Sequence, residues 1–208
     1  MAYTVQNIID DVRERLVDLD DLSVDDSTML SFVNQGQREI FSLTGIGQTT
    51  TTYTTGGGED GTLALNDSVQ LGPTTGHIIR ALGIDYNDAK LSHANLEEMR
   101  TWIVASGTPS GWSQWGAIVY LDAIPSSGQT IRAWVMYIPE DNATTASELA
   151  EQAEFPDFRA CLTAYVGYRC RAREQEGALA DRARMEYESL LAAISQRYDL
   201  INNGGYPR

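Results

Sequence analysis

The feature that most limits what this chain can fold into is a change of hydrophobic period. Apolar residues recur every three or four positions at both ends, and that rhythm vanishes between residues 47 and 140. A three-to-four spacing lines up apolar side chains on one face of a helix. Short β-branched runs cut by Gly, Pro and Asn-Asp punctuation read instead as strands and turns.

At the start, Val5, Ile8, Ile9, Val12, Leu16 and Leu19 predict an amphipathic helix over residues 4–19, with Thr4 as N-cap. Asp25, Asp26 and Ser27 precede Met29, Leu30, Phe32, Val33, Ile40 and Phe41, which predicts a second helix over 28–43 that stops near Gly45. The acids at its beginning match the positive end of the helix dipole. Near the other terminus Pro156 suits the first turn of a third helix. Its residues Phe158, Cys161, Leu162, Tyr165, Tyr168 and Ala172 form one stripe and Val166 and Cys170 another, which places this helix centrally between partners. Gly177 marks a break, and Leu179, Ala183, Tyr187, Leu190, Ile194, Tyr198 and Ile201 set the period of a fourth long helix that closes an αα-hairpin.

The middle opens with a Thr-rich strand or arm and a glycine loop over 49–61. Strands are predicted over 62–65, 77–86, 117–121 and 130–138, with turns at Gly72-Pro73, Asn87-Asp88 and 125–128, and residues 95–102 read as a short helix or an irregular connection on the sheet, the helix being preferred. The fold class is therefore α+β: a helical bundle from two N-terminal helices and a C-terminal helical hairpin, with an inserted small antiparallel β-domain. The expected boundaries are 1–46 for the N-terminal helices, 47–140 for the β-domain with its arm, 141–201 for the hairpin and 202–208 for an extended tail.

Charge and chemistry narrow the function. The net charge of −14 divides into −6 for residues 1–44, −5 for 45–140 and −3 for 141–208, so the surface as a whole does not attract a phosphate backbone. No apolar run reaches the length of a membrane span, and the first residues lack the pattern of a secretory signal, which predicts a soluble, non-secreted chain. Two histidines, His77 and His93, and two cysteines, Cys161 and Cys170, are few parts for catalysis. The cysteines sit nine positions apart in a predicted helix and so on opposite faces, which excludes a bridge between them and suits small buried thiols. The acids between Asp18 and Asp26 are interrupted by Leu22, Ser23 and Val24, unlike a calcium loop. The glycine run at 56–61 lacks the Lys-Ser/Thr of a phosphate loop. Glu97 and Glu98 point about 100° apart on a helix, which does not make a hydrolytic pair. No enzyme activity, metal or cofactor is expected.

Contact residues are the better candidates. Of the tryptophans, Trp134 reads as core, while Trp112 and Trp115 flank a Gly- and Ser-rich turn region and divide between core edge and contact surface. Thr51, Tyr53 and Gly57 belong to the arm, which in an oligomer reaches a neighbour. Asn202, Asn203, Gly204, Gly205, Tyr206, Pro207 and Arg208 read as a frayed tail or as a docking peptide with Tyr206 as anchor and Arg208 as charge partner.

The order of these segments resembles the head-to-tail adaptor (connector) proteins of tailed bacteriophages, of the tail tubular or head-completion type. The resemblance is carried by residues 8–16, by Phe32-Val33-Asn34-Gln35-Gly36-Gln37-Arg38-Glu39-Ile40-Phe41, by the strand and turn over 119–125, by Tyr137-Ile138-Pro139, and by Phe155-Pro156-Asp157-Phe158 leading into the helical hairpin. It implies a structural virion protein at the head-tail interface, made in the host cytoplasm, forming a ring of twelve copies below the portal. DNA would pass through that ring without sequence-specific binding. The implied partners are the portal protein, docked by residues 202–208, a downstream tail (nozzle or stopper) protein, and further copies of the chain. A different tail component, such as a stopper or terminator, shares these features, and a carbohydrate-binding module would use Trp112 and Trp115 as a stacking platform.

Overall fold

A computed structural model describes residues 3–16, 24–55, 62–64, 68–71, 74–102, 105–116, 118–149 and 156–203. The chain divides into two compact units, one of residues 1–46, 70–75 and 139–208, the other of residues 47–69 and 76–138. Among the described residues, five helices and mainly antiparallel sheets make the α+β fold that the sequence predicts.

In the first unit α1 (Val5–Arg15) is entered through Thr4, whose backbone N–H donates to Asn7 Oδ1 at 2.9 Å. The helix is shorter than its apolar period suggests. Leu16 caps it by donating its N–H to the carbonyls of Val12 and Arg13, and Leu19 lies outside the described residues. Arg13 and Arg15 suit the negative end of the helix dipole, while the aspartates that follow in sequence oppose a longer helix there. α2 (Asp26–Thr44) begins two residues earlier than predicted because Asp25 is its N-cap, its Oδ1 accepting from the Thr28 N–H at 2.7 Å. Gly45, at φ +65°, ends it by donating its N–H to Phe41 O.

α4 (Pro156–Arg173) is the hub of this unit, packing against α1, α2 and α5 (Gly177–Asn203). It buries Phe158, Cys161, Leu162, Ala164, Tyr165, Val166 and Cys170, residues that point to several sides of the helix, as expected of a central element. The break between α4 and α5 takes its left-handed residue at Gln175, φ +62°, while Gly177 opens α5 instead of ending α4. A half-buried ion pair, Arg171 to Glu176 at 2.9 Å, spans that turn. Asn34 on α2 fastens the segment that follows the β unit: its Nδ2 donates to Asn142 O at 3.1 Å and its Oδ1 accepts from the Asn142 N–H at 2.9 Å.

The strands and the short third helix are β1 (Gln48–Thr54), β2 (Thr62–Ala64), β3 (Ser68–Leu71), β4 (Thr74–Tyr86), β5 (Ala89–Lys90), β6 (Ser92–His93), α3 (Leu96–Met99), β7 (Ala105–Ser106), β8 (Gly111–Trp115), β9 (Ile118–Leu121), β10 (Ala123–Ile124) and β11 (Thr130–Pro139); all belong to the second unit except residues 70–71 of β3, 74–75 of β4 and Pro139 of β11, which belong to the first. One sheet runs β1-β11-β4-β3, with β5 also on β4; a second runs β2-β9-β8-β6; β7 and β10 form a small parallel pair. The β6–β8 pairing is parallel too, within a mainly antiparallel fold. Asn87 and Asp88, both at positive φ, make the tight turn between β4 and β5.

Along β11 the buried residues alternate as Ile131, Ala133, Val135 and Tyr137, which puts Trp134 on the other face. Trp134 is thus half-buried, not core, and its Nε1–H donates to Asp85 Oδ2 at 3.1 Å. An indole in core has to satisfy that donor, and the outer face of the sheet supplies a carboxylate for it.

Candidate interaction surfaces

The arm begins as β1, in full antiparallel register with β11 from Gln48 opposite Met136 to Thr54 opposite Thr130. Thr51 and Tyr53 stand opposite Ala133 and Ile131, on the face that these two bury, and are themselves half-buried. The side chains β1 gives to solvent are Thr50, Thr52 and Thr54. Thr55 pins the end of the strand, its Oγ1 donating to Ser126 O at 2.6 Å and accepting from the Gln129 N–H at 2.9 Å. Gly57 lies outside the described residues.

Trp112 and Trp115 belong to a strand, β8, and not to a turn region. Period 2 would place residues three apart on opposite faces, and the two indoles separate accordingly: Trp112 is 3% exposed and Trp115 is 56% exposed. Trp112 packs edge-on against His93, with ring centroids 4.6 Å apart. Trp115 pairs across the hairpin with Ile118, 36% exposed, and together they form an apolar tip. A platform of two adjacent indoles is therefore absent, and of the two candidates Trp115 is the one that presents its ring.

At the chain end, Asn202 and Asn203 lie in the last turn of α5 and are not extended. The remaining docking candidates, Gly204, Gly205, Tyr206, Pro207 and Arg208, fall outside the described residues. Of the acidic segment, residues 18–23 fall outside as well, while Asp25 is occupied as an N-cap and Asp26 pairs with Arg13. Among the described residues no group of three or more His, Cys, Asp and Glu is arranged to hold a metal ion. A cavity of about 120 Å³ between α1, α4 and α5 is lined by Arg15, Gly167, Arg171 and Glu186. Its charges already have partners, Arg15 with Glu186 at 3.5 Å and Arg171 with Glu176.

The buried thiols are chemically quiet. Burial pushes Cys161 up to about 12 and Cys170 to about 11, helped by the charges of Glu39 and Glu174 respectively. The thiolate is the reactive form, so neither cysteine should react rapidly with a disulfide reagent in the folded protein at pH 8, and both should react once it unfolds. Rapid modification of one thiol before unfolding would contradict this placement.

Two carboxylates hold local structure and set an acid limit. Burial opposes the charge on Asp122, yet the hydroxyl and N–H of Ser110, at 2.6 and 2.8 Å, and the Gly111 amide outweigh it and keep the carboxyl below its ordinary value of 3.8. Asp25 is lowered in the same direction by the Thr28 backbone and side chain and by Ser27. A carboxyl lowered by folding contributes stability that is complete above its ordinary value and is lost as pH falls through the lower folded one. The melting temperature should therefore stay level through these two groups from pH 7 to about 5 and drop below about pH 4. Asp122→Asn should melt lower at pH 7 and lose less on acidification; a parallel pH profile for the two proteins would refute the assignment.

The described residues thus present an exposed apolar hairpin tip, Trp115 with Ile118, as a candidate contact surface. Residues 3–206 match the family model described as SU10 adaptor protein, and the chain belongs to that family. It is thereby a phage adaptor protein, of a structural and not an enzymatic family, whose role implies contacts with other virion components. No curated protein matches the chain. No helix among the described residues is long and apolar enough to cross a membrane.

Sequence reasoning missed β3, β5, β6, β7, β8 and β10, all of them two to five residues long, too short to show a period. It also missed Ile118, whose exposure follows from its place opposite Trp115 and not from its own type.

Proposed function

We propose that this adaptor acts at the head-tail interface, as a ring of about twelve copies below the portal that joins capsid to tail and surrounds the path of the exiting DNA. The observation that carries this reading is the family match across nearly the whole chain. Electrostatics support it: each copy carries −14, and a lining of that sign lets a duplex slide, whereas rows of arginine would hold it through counterion release. The N-terminal helices, with the largest acid excess at −6, border the lumen or the outer rim. The residues after Asn203 dock on the portal, with Tyr206 as anchor and Arg208 as charge partner, and Trp115 faces a subunit or the next tail protein.

Native mass spectrometry with and without the cognate portal ring tests the proposal. Monomers that become a ring-sized complex on the portal support it, and monomers indifferent to the portal overturn it. Deleting residues 204–208 should leave the far-ultraviolet dichroism intact and abolish portal attachment; retained attachment would remove the docking assignment while leaving the ring.

A further inference from the structure

We infer that the open edge of β1 is the joint between copies: it hydrogen-bonds to the β3 edge of the next subunit, so that one sheet continues into another around the assembly. The inference rests on the ring reading and adds the surface that builds it.

The register decides which backbone groups are available. Tyr137 donates its N–H to Gly47 O at 2.9 Å and Thr55 donates to Gln129 O at 2.9 Å, so the odd-numbered residues of this strand face β11. By antiparallel alternation the N–H and C=O of Thr50, Thr52 and Thr54 point away from β11. No other strand among the described residues pairs with that side, and these three threonines are exposed. Sheet edges that stay single are blunted by charge, proline, a bulge or brevity. β1 has none of these: it is seven residues long, runs in unbroken register, and reads Gln48-Thr49-Thr50-Thr51-Thr52-Tyr53-Thr54, rich in β-branched residues.

The occupant follows from the sheet itself. Its far edge is β3, Ser68-Val69-Gln70-Leu71, equally free of charge and proline. A sheet whose two edges are different strands joins head to tail, and such an interface builds a ring where the rotation between copies closes. Charge selects the same place. Copies of −14 repel one another, and contact is least opposed where neither side carries charge; residues 40–58 and 68–79 carry no Asp, Glu, Lys or Arg.

Hydrogen exchange of the wild-type chain, free and in its portal-bound assembly, reads the edge directly. The amides of Thr50, Thr52 and Thr54 should exchange about 100-fold more slowly in the assembly; equal exchange in a ring-sized complex overturns the joint while leaving the ring standing. Thr52→Pro removes a donor that β11 does not use, so folding by circular dichroism should persist while assembly weakens about 10-fold or more. Normal assembly of this variant overturns the proposal, and if the variant fails to fold the exchange measurement decides alone. Oxidising the Thr52→Cys/Val69→Cys protein within the assembly should give a ladder of covalent multimers. Products that stop at dimers would mean β1 meets β1, and absence of any product would mean another protein covers the edge; either overturns it.

Discussion

Replacing Gly36 by valine should lower the stability of the helical unit by about 3 kcal/mol. Gly36 faces α4 so closely that a Cβ placed on it would lie 2.7 Å from Leu162 Cδ1 and 2.7 Å from Tyr165 Cδ1. Neither neighbour is free to withdraw. Leu162 is fully buried, and Tyr165 is held edge-on by Tyr187 at 5.1 Å between ring centroids while its hydroxyl accepts from Arg169 at 3.0 Å. Alanine at this position should cost less, because about 1 kcal/mol of helix propensity returns against the strain. Valine adds two methyl groups and a β-branch with no such return. Denaturant unfolding followed at 222 nm should show a lower midpoint in the order wild type, Gly36→Ala, Gly36→Val; an unchanged midpoint for valine would show that α2 and α4 do not pack at this glycine. All four tryptophans lie in the second unit, so their emission reports on that unit separately. We propose that the β unit is an inserted domain that folds on its own; on that reading Gly36→Val leaves the emission transition in place, and a joint shift overturns it.

The helices were legible because each carries a period long enough to repeat. Four turns of apolar spacing identify α2, and the mixed stripes of α4 announce a helix buried on several sides. The stop of α2 was legible at Gly45, a residue type that marks a C-terminus, whereas its start was placed two residues late although Asp25 is a capping type, and the end of α1 was misjudged where the signal is the balance of charge beyond Arg15. The β unit was legible as a class and not as a topology. Its parallel pairs, β6 with β8 and β7 with β10, join residues whose pairing depends on the whole chain path. The contact surfaces were legible as residue types only. Which of Trp112 and Trp115 faces out, and which threonines of β1 do, is set by register, and a shift of one residue would exchange them.

The same register makes the two indoles give opposite results on truncation. Trp112→Ala should cost about 3–5 kcal/mol, because the ring is 3% exposed and the cavity left behind would border His93, with which it packs at 4.6 Å. Its strand is held on both sides, by β9 and by β6, which limits how far the site can collapse. Trp115→Ala removes a ring that is 56% exposed at a hairpin tip, and should change stability by no more than about 0.5 kcal/mol. Thermal unfolding of the two variants checks the difference, and similar losses would show that the tip is packed against more than Ile118. The asymmetry matters for the adaptor role. A defect in virion assembly caused by Trp112→Ala would reflect an unstable β unit, whereas the same defect from Trp115→Ala in a fully folded chain would locate a surface through which this protein meets its neighbour.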